Sequence, residues 1–161
     1  MTLTTTTLET PVGPLRLVAS EIGLRSVSFH GEAPGPDAVD GDSPVLAEAA
    51  RQLDEYFAGT RTAFMIPLDL RGTPFQLDAW QHLAEIPYGE TVSYAEQARR
   101  VGRPRAVRAI GAANGSNPVP IVLPCHRVIG SDGSLTGFGG GLDVKRALLE
   151  HEAGVRPLFA P

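Results

Sequence analysis

The sequence predicts an α+β chain in two parts. Residues 1–70 form a small β-sheet with one helix, and residues 71–161 form a mostly helical part with a helix-turn-helix of winged-helix type. Three observations carry this. Segments rich in Thr, Val, Leu and Phe, cut by turn residues, fill the first thirty positions. A Gly/Pro/Asp tract then separates them from the first helical pattern. Beyond Arg71, capping signals recur just ahead of each apolar period.

The strands are "TLTTTTLET", "GPLRLVAS" and "GLRSVSFH", separated by the turn signals "PVG" and "EIG". "GEAPGPDAVDGDSP" shows no period and reads as a linker. Ser43 as cap and Pro44 in the first turn open a helix over about 44–57, with Leu46, Ala49, Ala50, Leu53 and Phe57 on its apolar face and Gly59 stopping it. "FMIPLDL" offers a further short strand. In the second part, Thr73, Pro74 and Gln76 supply cap, first-turn proline and capping-box partner for a helix through Ile86, burying Phe75, Ala79, Trp80 and Leu83. Ser93 and Glu96 repeat the capping box for a helix from Tyr94 to about Val101. "GRP" turns the chain, and Pro104 opens another helix to about Asn114. On that helix Val107, Ile110 and Gly111 face inward. Arg105, Arg108, Ala109, Ala112 and Ser116 face out, a nearly bare surface bearing two long cations. Such a face suits close approach to DNA, above all its minor groove, and equally suits an ordinary solvated helix. The prolines of "NPVPIVLPCHRVIG" keep it extended, and "GSDGSLTGFGGG" is a loop lacking the phosphate-binding GxxxxGK[ST] pattern. A last helix, "LDVKRALLEHEAG", turns Leu142, Ala147, Leu148 and Leu149 to the core and ends at Gly154.

The totals narrow the function. With 161 residues and 42% apolar content, the chain is long and apolar enough for a real core, and no apolar run reaches the length of a membrane span. The threonine-rich start is not a signal peptide, and one cysteine permits neither an internal disulfide nor a zinc site built on several thiolates. A cytoplasmic location, where a thiol stays reduced, is the expectation. The net charge of -4 hides an uneven distribution, because "RRVGRPRAVR" holds five arginines and no acid.

That single cysteine, Cys125, stands between Pro124 and His126. A free thiol is only a few per cent thiolate near neutrality, so its use as a nucleophile needs a nearby base. His126 is adjacent, yet neighbours on an extended segment point to opposite sides, so the two meet only through a bend or a water. The imidazole in turn needs an acceptor, for which Asp132, Asp143, Glu150 and Glu152 are candidates. Glu152 occupies the last turn of a helix, where the dipole disfavours an anion, but spacing does not choose between it and Glu150.

The stretches "RAIGAANGSNPVPIVLPCHRVIG", "FQLDAWQHLAEIPYGETVSYAEQA" and "GGLDVKRALLEHE" resemble the O6-alkylguanine-DNA alkyltransferases, closely over residues 70–154 and in strand-rich character before that. The resemblance implies a single-use repair protein that flips an alkylated guanine from duplex DNA and takes the alkyl group on Cys125. It implies His126 as the base acting through a water, Glu152 as the group orienting it, and Asn117 as a brace for the active-site turn. Tyr94 would rotate the nucleotide's phosphate and bond the extruded purine, and Arg108 would fill the vacated place in the stack. Arg103 and Ser131 would touch the backbone, with Ser93 and Arg105 in the same DNA-binding set, while Pro120, Val128, Phe138 and Gly139 would line the pocket. No cofactor or metal is implied, the DNA is met in its minor groove, and the protein would act as a monomer. Phe138 departs from the tyrosine many relatives carry, and no fused regulatory domain is expected. Two other readings compete: a cysteine hydrolase with a Cys-His-acid set, and a non-catalytic winged-helix DNA-binding protein.

Overall fold

The structure is a computed structural model that describes residues 2–30 and 35–154. Positions 31–34 of the predicted linker and positions 155–161 of the predicted second part lie outside the described residues. The chain divides between Arg71 and Gly72 into two compact units.

The first unit holds a four-stranded sheet in the order β3-β2-β1-β4, with β1 at Leu3–Leu8, β2 at Leu15–Ala19, β3 at Leu24–Phe29 and β4 at Ala38–Asp40. β1, β2 and β3 form an antiparallel meander, while β4 runs parallel to β1. The short β4 overturns part of the linker expectation, because pairing with Leu3, Thr4 and Thr5 makes a strand of residues with no period of their own. "FMIPLDL" forms no strand. It is tied to the sheet edge by one bridge, Leu24 to Leu68, with Leu24 N donating to Pro67 O at 2.8 Å and Asp69 N to Leu24 O at 2.9 Å. Helix α1, Pro44–Phe57, begins at Ser43, whose hydroxyl accepts from Leu46 N. Its core stripe is Leu46, Ala49, Leu53, Tyr56 and Phe57; Ala50 is only half-buried.

In the second unit, α2 spans Pro74–Leu83, α3 Tyr94–Arg100, α4 Val107–Gly115 and α5 Leu142–Ala153. Thr73 and Gln76 close a full capping box on α2, which ends at Leu83 rather than Ile86 because the following residues tighten into turns. Ser93 caps α3 by accepting from Glu96 N at 3.0 Å, but the Glu96 carboxylate turns to Arg99 at 2.9 Å, so the box is half-formed. α4 begins three residues later than predicted. Pro104 occupies a turn closed by Ala106 N donating to Arg103 O at 2.9 Å, the place where its fixed φ also fits, and Arg105 precedes the helix. The inward face of α4 is Ile110, Ala113 and Asn114, whereas Val107 is exposed. Small residues let α2, α3 and α4 approach closely: Ala79, Ala98, Ile110 and Ala113 form a buried cluster, with Phe75, Tyr94 and Val101 packed against it. Two polar ties lock it. Trp80 Nε1 donates to Ala113 O at 2.8 Å, and the Gln97 and Asn114 amides exchange reciprocal bonds of 3.0 and 2.7 Å. Among the described residues, no helix is long and apolar enough to cross a membrane.

Removing one amide of the buried pair strands the other, so Asn114→Ala should lower stability by about 1–3 kcal/mol. Urea unfolding followed by the fluorescence of Trp80 measures this, and an unchanged midpoint contradicts the pairing.

Candidate active site

The segment from Asn117 to Ile129 is not simply extended. Asn117 pins a turn from inside: its Nδ2 donates to Leu123 O at 2.8 Å, and its Oδ1 accepts from Val119 N at 3.0 Å. Leu123 N closes the turn onto Val119 O at 2.9 Å. Ile121 sits there at φ 74, a left-handed backbone that a β-branched side chain rarely adopts. Its side chain is completely buried, so packing helps to offset a strain of about 1–3 kcal/mol. The chain then winds into one turn of 3₁₀ helix at Cys125–Arg127 and leaves as β6, Val128–Ile129, parallel to β5, Val92–Ser93. This turn is the bend that an adjacent Cys-His pair requires. It also brings His126 and Arg127 to the same helix, α5.

Glu152 meets both. Its Oε2 accepts from His126 Nε2 at 2.6 Å and from Arg127 Nη2 at 3.1 Å, and its Oε1 accepts from Arg127 Nε at 2.7 Å. Gly89 N adds a longer bond to Oε1 at 3.3 Å, from a backbone at φ 81 that suits glycine. Arg127 Nη1 donates to Ile86 O at 2.6 Å, and the guanidinium lies 5.7 Å from the centre of the Tyr88 ring. All three charged or titratable groups are buried, His126 completely. Burial alone would push the Glu152 carboxyl up, but the hydrogen bonds and charges of His126 and Arg127 more than compensate and hold it well below the usual carboxylate range. Burial pushes the His126 imidazole down, against the pull of Glu152. With Nε2–H donated to the carboxylate, the neutral ring keeps its lone pair on Nδ1, a buried atom for which the described residues supply no hydrogen-bond partner.

Cys125 is buried, and that burial pushes its thiol up, only partly countered by the Asn117 amide and the charge of Lys145. At rest the sulfur is therefore a thiol, not the standing anion that nucleophilic chemistry alone would suggest. Lys145 itself is buried. Its Nζ donates to Val128 O at 2.8 Å and Thr136 O at 3.1 Å and lies 5.8 Å from the centre of the Tyr94 ring. Burial lowers its pKa, and the neighbouring sulfur opposes that shift.

The other predicted site residues fall into two places. Pro120 and Val128 are buried beside the cysteine turn, and Asn117 and Phe138 are half-buried. Tyr94 and Ser93 begin α3, with the Tyr94 hydroxyl accepting from Thr136 Oγ1 at 2.8 Å. Arg103, Arg105 and Arg108 are exposed along the connection and start of α4, with the Arg103 guanidinium 5.9 Å from the Phe75 ring centre. Ser131 and Gly139 are exposed on the glycine-rich loop. Of the acids left open by spacing, Glu152 faces the imidazole, while Asp132 and Asp143 are exposed. His151 is buried as well, and Leu142 is exposed rather than in the core. Sequence reasoning missed Arg127 and Lys145. A cation inside the apolar run "VLPCHRVIG" was a signal for the first. The i, i+3, i+7 stripe of Lys145, Leu148 and Glu152 was a signal for the second. Among the described residues, no three His, Cys, Asp or Glu side chains gather where a metal ion could be held.

Two family models match this chain. The DNA-binding domain of 6-O-methylguanine DNA methyltransferase matches residues 74–154, and the ribonuclease-like domain of the same family matches residues 3–70. The chain belongs to the 6-O-methylguanine DNA methyltransferase family. Similar members include the methylated-DNA–protein-cysteine methyltransferase of Mycobacterium tuberculosis, 47% identical over 153 residues and covering 94% of this chain and 93% of that one. That of Methanosarcina acetivorans is 46% identical over 147 residues, 89% of this chain and 94% of the other. Among solved structures, Mycobacterium tuberculosis OGT in complex with DNA aligns with a TM-score of 0.90 at 46% identity, covering 96% of both chains. The predicted α+β class, a sheet-and-helix part followed by a helical one, is the fold of this methyltransferase family.

Both shifts in this buried methyltransferase site have the same sign for acid stability. His126 is held below its ordinary value of 6.5, so below that pH the unfolded chain binds a proton the folded one refuses. Glu152 is held below 4.5, so its stabilisation is present above that value and is lost as pH falls toward its depressed folded value. The urea midpoint reported by Trp80 should therefore fall continuously as pH is lowered from about 7 to about 4. A midpoint that holds or rises contradicts the assignment.

Proposed function

We propose that the protein repairs DNA by direct reversal, flipping O6-alkylguanine out of the duplex and transferring the alkyl group irreversibly to Cys125, so that each molecule works once. The observation that carries this reading is the buried pair of Glu152 on α5 with His126 on the same turn as the only thiol, with Nδ1 of the imidazole unengaged within the described protein. Membership of the methyltransferase family, and the names and DNA complex of its members, support the same chemistry.

In the proposed mechanism, His126 Nδ1 takes the Cys125 proton through a bridging water, and Glu152 stabilises the imidazolium as it forms. The sulfur attacks the alkyl carbon; the new S–C bond forms as the bond to the guanine O6 breaks, and the electron pair leaves with the purine. The purine gains a proton from water, and the proton that His126 took from the thiol returns to water, so charge does not accumulate on the leaving group. Lys145 favours the transient thiolate by its charge, and Asn117 holds the turn that presents it. A base stacked in a duplex cannot reach a sulfur this enclosed, and extrusion costs a few kcal/mol. Arg108 on the bare face of α4 offsets part of that cost by entering the stack from the minor groove. Tyr94 turns the nucleotide, and Ser93, Arg103, Arg105 and Ser131 hold the backbone. Pro120, Val128, Phe138 and Gly139 line the receiving pocket. An open concavity along Gly102, Arg103, Pro104, Arg105 and Ala106 suits a phosphate backbone better than an enclosed ligand. The division is residues 1–70 as a strand-rich domain with one helix and residues 71–161 as the DNA-binding alkyl acceptor, acting as a monomer in the cytoplasm.

A cysteine hydrolase would leave the helix-turn-helix and its arginines without a role, and a purely binding protein would not need a thiol beside a buried base. Intact-mass spectrometry after incubation with methylated duplex DNA should show one stable methyl addition per chain, absent in Cys125→Ser. Turnover of many substrates per chain, or an unmodified wild type, overturns the proposal. Arg108→Ala should slow repair of duplex DNA by roughly tenfold or more, an energy of about 1.4 kcal/mol, with little effect on reaction with the free modified base. Equal losses on both substrates contradict the stacking role.

A further inference from the structure

In the site described above, Glu152 has two claimants. If the imidazole alone faced that carboxylate in a buried setting, the pair would favour imidazolium with carboxylate, and both ring nitrogens would carry protons. A ring so charged has no lone pair with which to receive a proton from sulfur. Arg127 changes the balance, because it reaches both oxygens of the carboxylate, at 2.7 and 3.1 Å, and is itself buried. Its third nitrogen, Nη1, donates to Ile86 O at 2.6 Å, so the guanidinium has one orientation. The groups surrounding the imidazole are Glu152 and Lys145 from α5, and Cys125 and Arg127 from its own turn, with Tyr88 stacked against the guanidinium. Counted as charges, Glu152 is matched by Arg127, and Lys145 is left to act on the sulfur.

We infer that Arg127 is a positioning residue for the alkyl transfer, absorbing the charge of Glu152 so that His126 rests neutral with Nδ1 ready for the thiol's proton. It never touches the alkyl group. Its effect passes through the carboxylate to the ring, and it leaves Lys145 uncompensated beside Cys125. The direction of the His126 shift agrees, since burial and then the charges of Arg127 and, behind it, Lys145 push the imidazole down while Glu152 pulls it up. The inference rests on the alkyl-transfer reading for its consequence, but the state of the ring is measurable without it.

The test is a ¹⁵N imidazole titration of the full chain without DNA, joined to single-turnover methyl transfer from duplex DNA across pH. In wild type, His126 should be neutral and protonated on Nε2 near pH 7. Arg127→Gln keeps a hydrogen-bonding side chain without the charge. It should raise the His126 pKa, cutting transfer by about tenfold for each unit by which that pKa comes to exceed the working pH, and transfer should recover as the pH is raised. Arg127→Lys should return the pH midpoint toward wild type at a reduced rate, because one ammonium cannot span both oxygens. A uniform loss at every pH with His126 still neutral in Arg127→Gln makes Arg127 merely structural and overturns the inference. Should that variant not fold, Arg127→Lys and wild type decide: an imidazolium near neutral pH in wild type overturns the inference, as does a loss in Arg127→Lys that is uniform at every pH with the His126 pKa unmoved, whereas a raised His126 pKa with transfer recovering at higher pH upholds it. Because the titration is read on the free chain, its outcome stays separate from any failure to transfer methyl groups.

Discussion

A buried carboxylate must be satisfied on every side, and Glu152 imposes that demand on the whole second unit. Its two oxygens collect N–H groups from His126, Arg127 and Gly89, while Arg127 reaches on to the carbonyl of Ile86. One anion thus fastens α5, the cysteine turn and the loop beyond α2 to one another. Stripping one partner from such a group typically costs about 3–5 kcal/mol, which is far more than an exposed ion pair contributes. The position is electrostatically poor as well, since the last turn of a helix repels negative charge. An acid kept there without partners would not stay ionised, so its neighbours and its function are the same question.

Chemistry at Cys125 follows from that scaffold and from burial. Desolvation keeps the resting sulfur protonated, while the Asn117 amide and the Lys145 charge that favour its anion are already in place. Under the proposed transfer, reactivity is arranged for the bound state instead of being stored in a standing thiolate. Asn117 and the strained backbone at Ile121 matter because they hold the turn that brings Cys125, His126 and Arg127 into register with α5.

The helices α2, α3 and α4 pack in the opposite way, around small residues. Ala79, Ala98 and Ala113 leave little between three helices, so Tyr94 packs against a small rigid cluster and α4 presents a low, arginine-bearing outer face. Arg99 is drawn into a pair with Glu96, which leaves Arg103, Arg105 and Arg108 as the cations along the connection and the start of α4. On an acidic chain this keeps positive charge local, where a phosphate backbone can find it without a generally basic surface.

Local chemistry was readable from the residues themselves. Ser43, Thr73 and Ser93 cap the helices their hydroxyls predict, Gly154 ends α5 in a left-handed residue, and the motif around Cys125 identified the family before any contact was known. These features depend on neighbours within a few positions, so the sequence contains the whole cause. Pairing and burial do not work that way. Ala38–Asp40 became a strand only because β1 offered an edge, and Pro104 served a turn instead of a helix start. Lys145 and Arg127 went unseen because the favourable burial of a charge is decided by groups far away along the chain. The sequence by itself determined the capped helices, the first three strands and the single thiol. Spacing left the acid open until the family resemblance pointed to Glu152, and tertiary structure alone decided which cation balances it, because electrostatic energy depends on distance and dielectric, and folding sets both.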